Sequence, residues 1–302
     1  MKRLGLALSG GGFRAVLYHL GVVRFARDAG LLHQVTHITS VSGGSVLGAH
    51  LALNWDRYCG TDEEFQEVAD EMLRLLQVDV RNRIVRRFPL TTLANVLRRT
   101  LRMPTRRQFT RAGLLEQHYQ KFLYGDTSLF SLPDRPRLYI LSTNLSEGSL
   151  CAFYQDGLLL QRRTPGRGAR FEQVRMGLAT VPMAVAASSA FPGFFPPLEL
   201  RNWEVGAKEG EFSRHSFTDG GIYDNIGLRM FHQIQEASRR DESVPEIEDV
   251  LDAEAMTAAL LSSGDLEANS PIRRLSERVA TLDPELSEAR SKLGADHQVR
   301  YL

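Results

Sequence analysis

Leu4-Gly5-Leu6-Ala7-Leu8-Ser9-Gly10-Gly11-Gly12-Phe13-Arg14-Ala15 is the stretch on which the reading of the whole chain turns. Arg3 to Ser9 is a short apolar strand, the glycine triplet breaks it, and Arg14 to Leu31 carries Val16, Leu20 and Val23 at helical spacing. Val35 to Val41 is a second, β-branched run, and Gly43 through Leu53 returns to helix-forming residues. Strand, glycine turn and helix thus occur twice in succession, which predicts a parallel, doubly wound sheet of the α/β class. Further along, Arg137 to Asn144 predicts a strand, Ala152 to Leu160 a third apolar unit, and Phe217 to Asp219 one more short strand. Residues 62 to 79 predict an amphipathic helix, and Glu172 to Ala190 a helix of small residues that stops at Phe191-Pro192-Gly193. Beyond about Gln235 the pattern offers only acidic, Ala-rich helix fragments, and no strand is evident in Glu246 to Leu251.

Composition narrows the function classes. With 43% hydrophobic residues in 302, the chain has ample apolar content for a large core, which excludes a disordered or collagen-like chain. Its two cysteines, Cys59 and Cys151, exclude a disulfide-stapled scaffold. No apolar run approaches the roughly 18 residues of a spanning helix, so contact with lipid is expected to be peripheral. Met1-Lys2-Arg3 followed by Leu4 to Leu8 imitates a signal peptide, but the apolar run is too short, and a cytoplasmic protein without a signal peptide is expected. Charge is partitioned along the chain. Ten arginines, from Arg81 to Arg111, lie between Asp79 and Glu116 with no acid among them, whereas Glu236 to Leu302 holds 15 acids against 8 bases. The arginine segment, broken by Pro89 and Pro104, is expected to be an insertion over about 80–115 outside the sheet. Its apolar residues Phe88, Leu90, Leu93, Val96, Leu97 and Leu101 suit either an anionic phospholipid surface or a cap whose arginines are simply solvated. It lacks the interleaved aromatics of a nucleic-acid surface, and no nucleic-acid partner is expected.

Three short motifs could carry chemistry. Ser40-Val41-Ser42-Gly43-Gly44 stands between a β-branched strand and a helix, the context in which a sharp turn pushes a nucleophilic serine outward, and Ser42 is the candidate. Gly43 and Gly44 are the small neighbours such a turn needs; Ser40 stands where a glycine is commoner. Gly10-Gly11-Gly12 at the start of a helix directs N–H groups and the positive helix end at one point, which suits a phosphate or the oxyanion of acyl transfer. Gly10-x-Gly12-x-x-Ala15 also fits a loose dinucleotide fingerprint, but the second strand ends in Ser40-Val41-Ser42 and not in the acid that ribose requires. Asp219-Gly220-Gly221 ends a short strand, so Asp219 is either a base or a plain Asp-Gly turn. None of the eight histidines stands in a triad context, and His33 and His37 lie across a loop and strand start where their spacing does not converge, so no metal site is expected.

Taken jointly, Ser9-Gly10-Gly11-Gly12-Phe13-Arg14-Ala15, Ser40-Val41-Ser42-Gly43-Gly44 and Asp219-Gly220-Gly221 resemble the patatin-like phospholipase family, and the Gly-Gly-Gly-x-Arg-Ala form resembles its cytosolic phospholipase A2 branch. Thr143-Asn144 and Ala186-Ala187-Ser188-Ser189-Ala190-Phe191-Pro192 extend the resemblance over roughly residues 3 to 230. It implies a three-layer α/β/α sandwich with a mainly parallel central sheet over residues 3–235; the acidic region 236–302, which matches nothing in the family, reads from its composition as helical and of unassigned role. It also implies a lipid acyl hydrolase of phospholipase A or lysophospholipase type, without cofactor, acting on phospholipid or lysophospholipid. In such an enzyme Ser42 would attack the ester, Asp219 would accept its proton, Gly10, Gly11 and Gly12 would form the oxyanion hole, and Arg14 would hold a substrate phosphate or brace the loop. Gly43, Gly44, Gly220 and Gly221 would support the two turns. The competing readings are a catalytically silent lipid-binding module of the same fold, a neutral-lipid lipase or transacylase, and a dinucleotide-binding protein.

Overall fold

The computed structural model describes residues 3–78, 100, 110–164, 168–240 and 249–252. At its centre, β1 (Leu4–Leu8) and β2 (Val35–Val41) are buried along their whole lengths, as near-continuous apolar runs require of strands covered on both faces. They pair in parallel, Leu6 opposite Ile38 and Leu8 opposite Ser40. On the far side of β2, β3 (Arg137–Asn144) is also parallel, with Ser40 opposite Ile140 and Val41 opposite Leu141. From β3 outward the sheet turns antiparallel through β4 (Ser149–Tyr154), β5 (Gly157–Thr164) and β6 (Gly168–Val174). Of the remaining strands, β7 (Leu198–Arg201) pairs antiparallel with β8 (Arg214–Asp219), and β8 pairs antiparallel with the last residues of β3. β9 (Asp249–Asp252) adds a further parallel strand beside β1.

One register positions the site. β2 leaves β3 at Val41 opposite Leu141, and β8 takes up the same edge of β3 at Asp219 opposite Ser142, while β4 occupies the other edge. The residue after Val41 and the last residue of β8 are therefore brought together by the sheet itself.

Helices cover both faces. On one, α1 (Gly12–Asp28) packs against α2 (Gly43–Leu53), a helix buried from Gly43 to Ala52, as expected of one that is apolar all round. α3 (Trp55–Cys59) and α4 (Asp62–Gln77) follow; α4 opens with a capping box between Thr61 and Glu64 and buries Phe65, Val68, Ala69, Met72 and Leu75, an amphipathic stripe at helical period. α5 (Arg111–Tyr119) lies against α6 (Val181–Ser188), which also touches α2 and β3. After the single turn α7 (Asn202–Val205), α8 (Leu228–Arg240) covers the opposite face, where Met230, Phe231 and Ile234 join Ala7, Val41, Tyr139 and Leu141 in one core. The result is the three-layer α/β/α arrangement with a parallel centre that the repeated unit implies. Among the described residues no helix is long and apolar enough to cross a membrane.

Three sequence expectations need correction. The helix expected over Glu172 to Ala190 is β6 up to Val174 and then only Val181–Ser188. Thr180 caps α6, its Oγ1 accepting from Met183 N–H at 3.4 Å, and Pro182 sits in the first turn, a start signal that small-residue composition obscured. The apolar unit at Ala152 to Leu160 is not one continuous segment but the hairpin of β4 and β5, joined tightly with Tyr154 opposite Gly157. Finally, Asp249-Val250-Leu251-Asp252, in which no strand was evident, pairs with Leu4 to Ala7. Two apolar residues between acids are a weak strand signal; the open edge of β1 supplies the backbone partners that decide it. The expected arginine insertion over about 80–115 lies outside the described residues up to 109, apart from Thr100, as does most of the region 236–302.

Candidate active site

Between β2 and α2 there is a single residue, Ser42, with φ 52° and ψ −118°. It is the one non-glycine residue with positive φ among those described, a conformation that costs of order 1–3 kcal/mol and persists only where surroundings enforce it. The enforcement is visible. Ser42 N–H donates to Ser188 Oγ at 3.0 Å, Ser188 Oγ lies 2.8 Å from Ser45 Oγ, and Ser45 Oγ donates to Ser40 Oγ at 3.2 Å. The glycines after Ser42 are demanded by space, since a Cβ on Gly43 would run into the Gly12 carbonyl and one on Gly44 into the Leu8 carbonyl. Ser40, the departure from glycine, is fully buried and turned toward α2, where Gly48 leaves room for it: a Cβ there would come within 2.9 Å of Ser40 Cβ.

Asp219 meets Ser42 as the register requires. Ser42 Oγ donates to Asp219 Oδ2 at 2.6 Å, and Gly221 N–H donates to Oδ1 at 2.8 Å. The backbone is tied as well, Asp219 N–H to Ala190 O at 3.2 Å and Thr143 Oγ1 to Asp219 O at 2.9 Å. Both partners come from the segments that extended the sequence resemblance. Burial raises the Asp219 carboxyl above the usual carboxylate range, against the opposing hydrogen bonds from Ser42 and Gly221. Gly220 lies close against the Leu141 carbonyl, with room for no side chain between them.

The glycine loop divides. Gly10 N–H is committed to Asn225 O at 2.9 Å and Gly10 does not border the cavity, which removes it from the expected oxyanion set. Gly11 and Gly12, with φ of 151° and 62°, do border it, and their N–H groups have no partner among the described residues. Arg14 is exposed on the first turn of α1 and is not part of the cavity wall.

Ser42 and Asp219 open onto a cavity of about 620 Å³, within the range of small-molecule sites. Its wall is apolar, with Phe13, Val46, Leu115, Phe191, Phe194 and Ile222 among the lining residues. Phe13, Phe191, Phe194 and Ile222 are 38–54% exposed and mark the mouth. No histidine lines it among the described residues; His37 sits elsewhere in the sheet, stacked on Tyr139 and lowered to about 4 by burial and by Arg137 and Arg135. Among the polar lining residues to which sequence reasoning gave no part in this site are Arg111, Tyr119 and Asn225. Tyr119 OH is 3.1 Å from Ser189 Oγ, and burial, with the Asp219 charge adding to it, pushes its phenol up to about 12. The spacing Arg111-x-x-x-Leu115-x-x-x-Tyr119 was the available signal, one face of a helix with mixed chemistry.

Residues 6–232 match the model of the patatin-like phospholipase family. Among solved structures, human GIVD cytosolic phospholipase A2 with methyl gamma-linolenyl fluorophosphonate is 19% identical with a TM-score of 0.44, over 64% of this chain and 30% of that one. Its complex that also holds terbium chloride gives 17% and 0.45, over 81% and 44%. VipD from Legionella pneumophila gives 14% and 0.35, over 89% and 57%. The chain thus spans less than two thirds of each of these proteins. No curated protein matches it.

Proposed function

Because the chain belongs to the patatin-like phospholipase family, and so to the lipid acyl hydrolases, we propose that it cleaves a carboxylic ester of phospholipid or lysophospholipid with two side chains, Ser42 as nucleophile and Asp219 as general base. The observation that carries this reading is the 2.6 Å hydrogen bond from Ser42 Oγ to Asp219 Oδ2 at the wall of an apolar cavity. Ser42 Oγ attacks the carbonyl carbon as its proton passes to Asp219, and the oxyanion that forms is met by Gly11 and Gly12 N–H. Collapse breaks the ester C–O bond, and Asp219 returns the proton to the departing alkoxide. A water then gives its proton to Asp219 and attacks the acyl-Ser42 carbonyl; on collapse Ser42 Oγ recovers the proton and the fatty acid leaves. The raised Asp219 carboxyl supports the role of base, since a base works best with a pKa nearer the working pH. The apolar wall supports an acyl chain as the ligand.

A fluorophosphonate probe with peptide mapping tests this without choosing a substrate. Labelling is expected at Ser42 alone, absent in Ser42→Ala, and reduced by about 100-fold or more in rate in Asp219→Asn. A folded wild-type chain that takes no label, or Asp219→Asn that labels at the wild-type rate, would remove the corresponding residue from its role; the first outcome leaves a silent lipid-binding module.

A further inference from the structure

α5 runs along the cavity wall and presents Arg111, Leu115 and Tyr119 to it, three residues at intervals of four and so on one face of the helix. Tyr119 marks the reacting end: its hydroxyl meets Ser189 next to Ser188, the residue that holds the Ser42 backbone, and its ring feels the Asp219 charge. At 1.5 Å per residue Arg111 stands about 12 Å from Tyr119 along the helix axis, and side chains on a helix lean toward its N-terminus, so the guanidinium extends away from the reacting pair. Exposure follows the same direction. Leu115 and Tyr119 are 2% and 3% exposed, whereas Arg111 is half-buried. Among the described lining residues Arg111 is the cation and Asp219 the anion, and the rest of the wall is neutral and mostly apolar.

An ester whose carbonyl lies at Ser42 and whose acyl chain fills the apolar wall would thus have a guanidinium beside it, some way toward the mouth. A diacyl- or monoacylglycerol places only hydroxyl and ester groups there. A glycerophospholipid places a phosphate several bonds from the carbonyl, and the planar donor fork of arginine matches phosphate oxygens two at a time. We infer that Arg111 is a specificity-determining residue that takes the phosphate of a glycerophospholipid or lysophospholipid, so that the cavity favours phosphate-bearing esters over neutral acylglycerols. This rests on the Ser42–Asp219 reading above, and it gives to Arg111 the role that the sequence had suggested for Arg14.

The test compares wild type, Arg111→Gln and Arg111→Lys as full chains. Substrates are a lysophosphatidic acid, a lysophosphatidylcholine, a monoacylglycerol and a monoacyl hemisuccinate with the same acyl chain, in the same mixed micelles. Wild type should prefer both phosphate esters to the monoacylglycerol, and Arg111→Gln should lower that ratio of kcat/KM about 10- to 100-fold, chiefly through KM. Arg111→Lys, which keeps the charge and loses the fork, should recover part of the ratio. A wild type indifferent to phosphate, an equal loss on all substrates, or a preference for the hemisuccinate alone would overturn the inference while leaving the hydrolase reading intact. Hydrolysis of none of them would instead count against the Ser42–Asp219 reading. In that case a thermal shift with an ether-linked lysophosphatidylcholine still decides: a shift lost in Arg111→Gln supports the inference, and one that survives overturns it.

Discussion

At the scale of the residue, Asp219 is where function and stability pull in opposite directions. The residue is 3% exposed, and burial raises its carboxyl above the ordinary value. The ionised form, which the proposed role of base requires, is therefore the form that the folded state accommodates less well than water does. The sign follows from linkage. A group raised on folding contributes stability below its unfolded value, and that contribution is lost as pH rises through the folded value. Asp219→Asn keeps an acceptor for Gly221 N–H and an amide for Ser42 Oγ without the charge. Relative to wild type, the variant should gain in Tm as pH rises from about 4, and then hold that gain at neutral pH while ester hydrolysis is lost; thermal melts across pH 4–8 check the first part. In wild type kcat/KM should fall on acidification along a limb above the ordinary aspartate range, because protonated Asp219 cannot accept from Ser42. A limb at the ordinary value, or a variant that melts lower at pH 8, would count against a raised carboxyl.

At the scale of the element, the tight turn from β2 to α2 was legible because its requirements are local. Strand composition up to Val41, glycines at 43 and 44, and helix composition to Leu53 leave one position for the turn, and the structure puts Ser42 there with φ 52°. The strain itself was not legible, since it depends on Ser188, brought in from 146 residues away to accept Ser42 N–H. The same holds for Gly10. Its N–H is spent on Asn225 O, a partner that only the fold supplies, whereas Gly11 and Gly12 border the cavity. The strained turn has its own test. Replacing Ser42 by glycine removes both the proposed nucleophile and the steric cost of positive φ, whereas Ser42→Ala removes only the hydroxyl. Ser42→Gly should therefore be about 1 kcal/mol more stable than Ser42→Ala by denaturant titration, with both inactive. Equal stabilities would mean that the turn relaxes without cost once Oγ is gone.

At the scale of the whole molecule, the site exists because two chain reversals share one edge of β3. β2 departs at Leu141 and β8 arrives at Ser142, so the carboxylate reaches the serine across the sheet although 177 positions separate them in sequence. Sequence motifs could name the two residues; only the pairing of β8 with β3 explains why they meet. The opposite side of the sheet bears on the same point. β1 carries the glycine loop at its C-terminal end, and its outer edge is occupied by β9 in parallel register from Leu4–Asp249 to Ala7–Asp252. Without β9, the buried N–H and C=O groups on that edge of β1 would lose their partners. Two truncations isolate this contribution. A chain ending at residue 240 lacks β9, and one ending at 253 retains it together with the rest of the compact unit that spans residues 1–253. The shorter chain should melt several degrees below the longer, about 2–4 °C for each kcal/mol lost, and should label more slowly with the fluorophosphonate probe because the loop that β1 holds is loosened. If both truncations melt and label alike, β9 is an ornament of the sheet edge and the glycine loop is held by β2 and α2 alone.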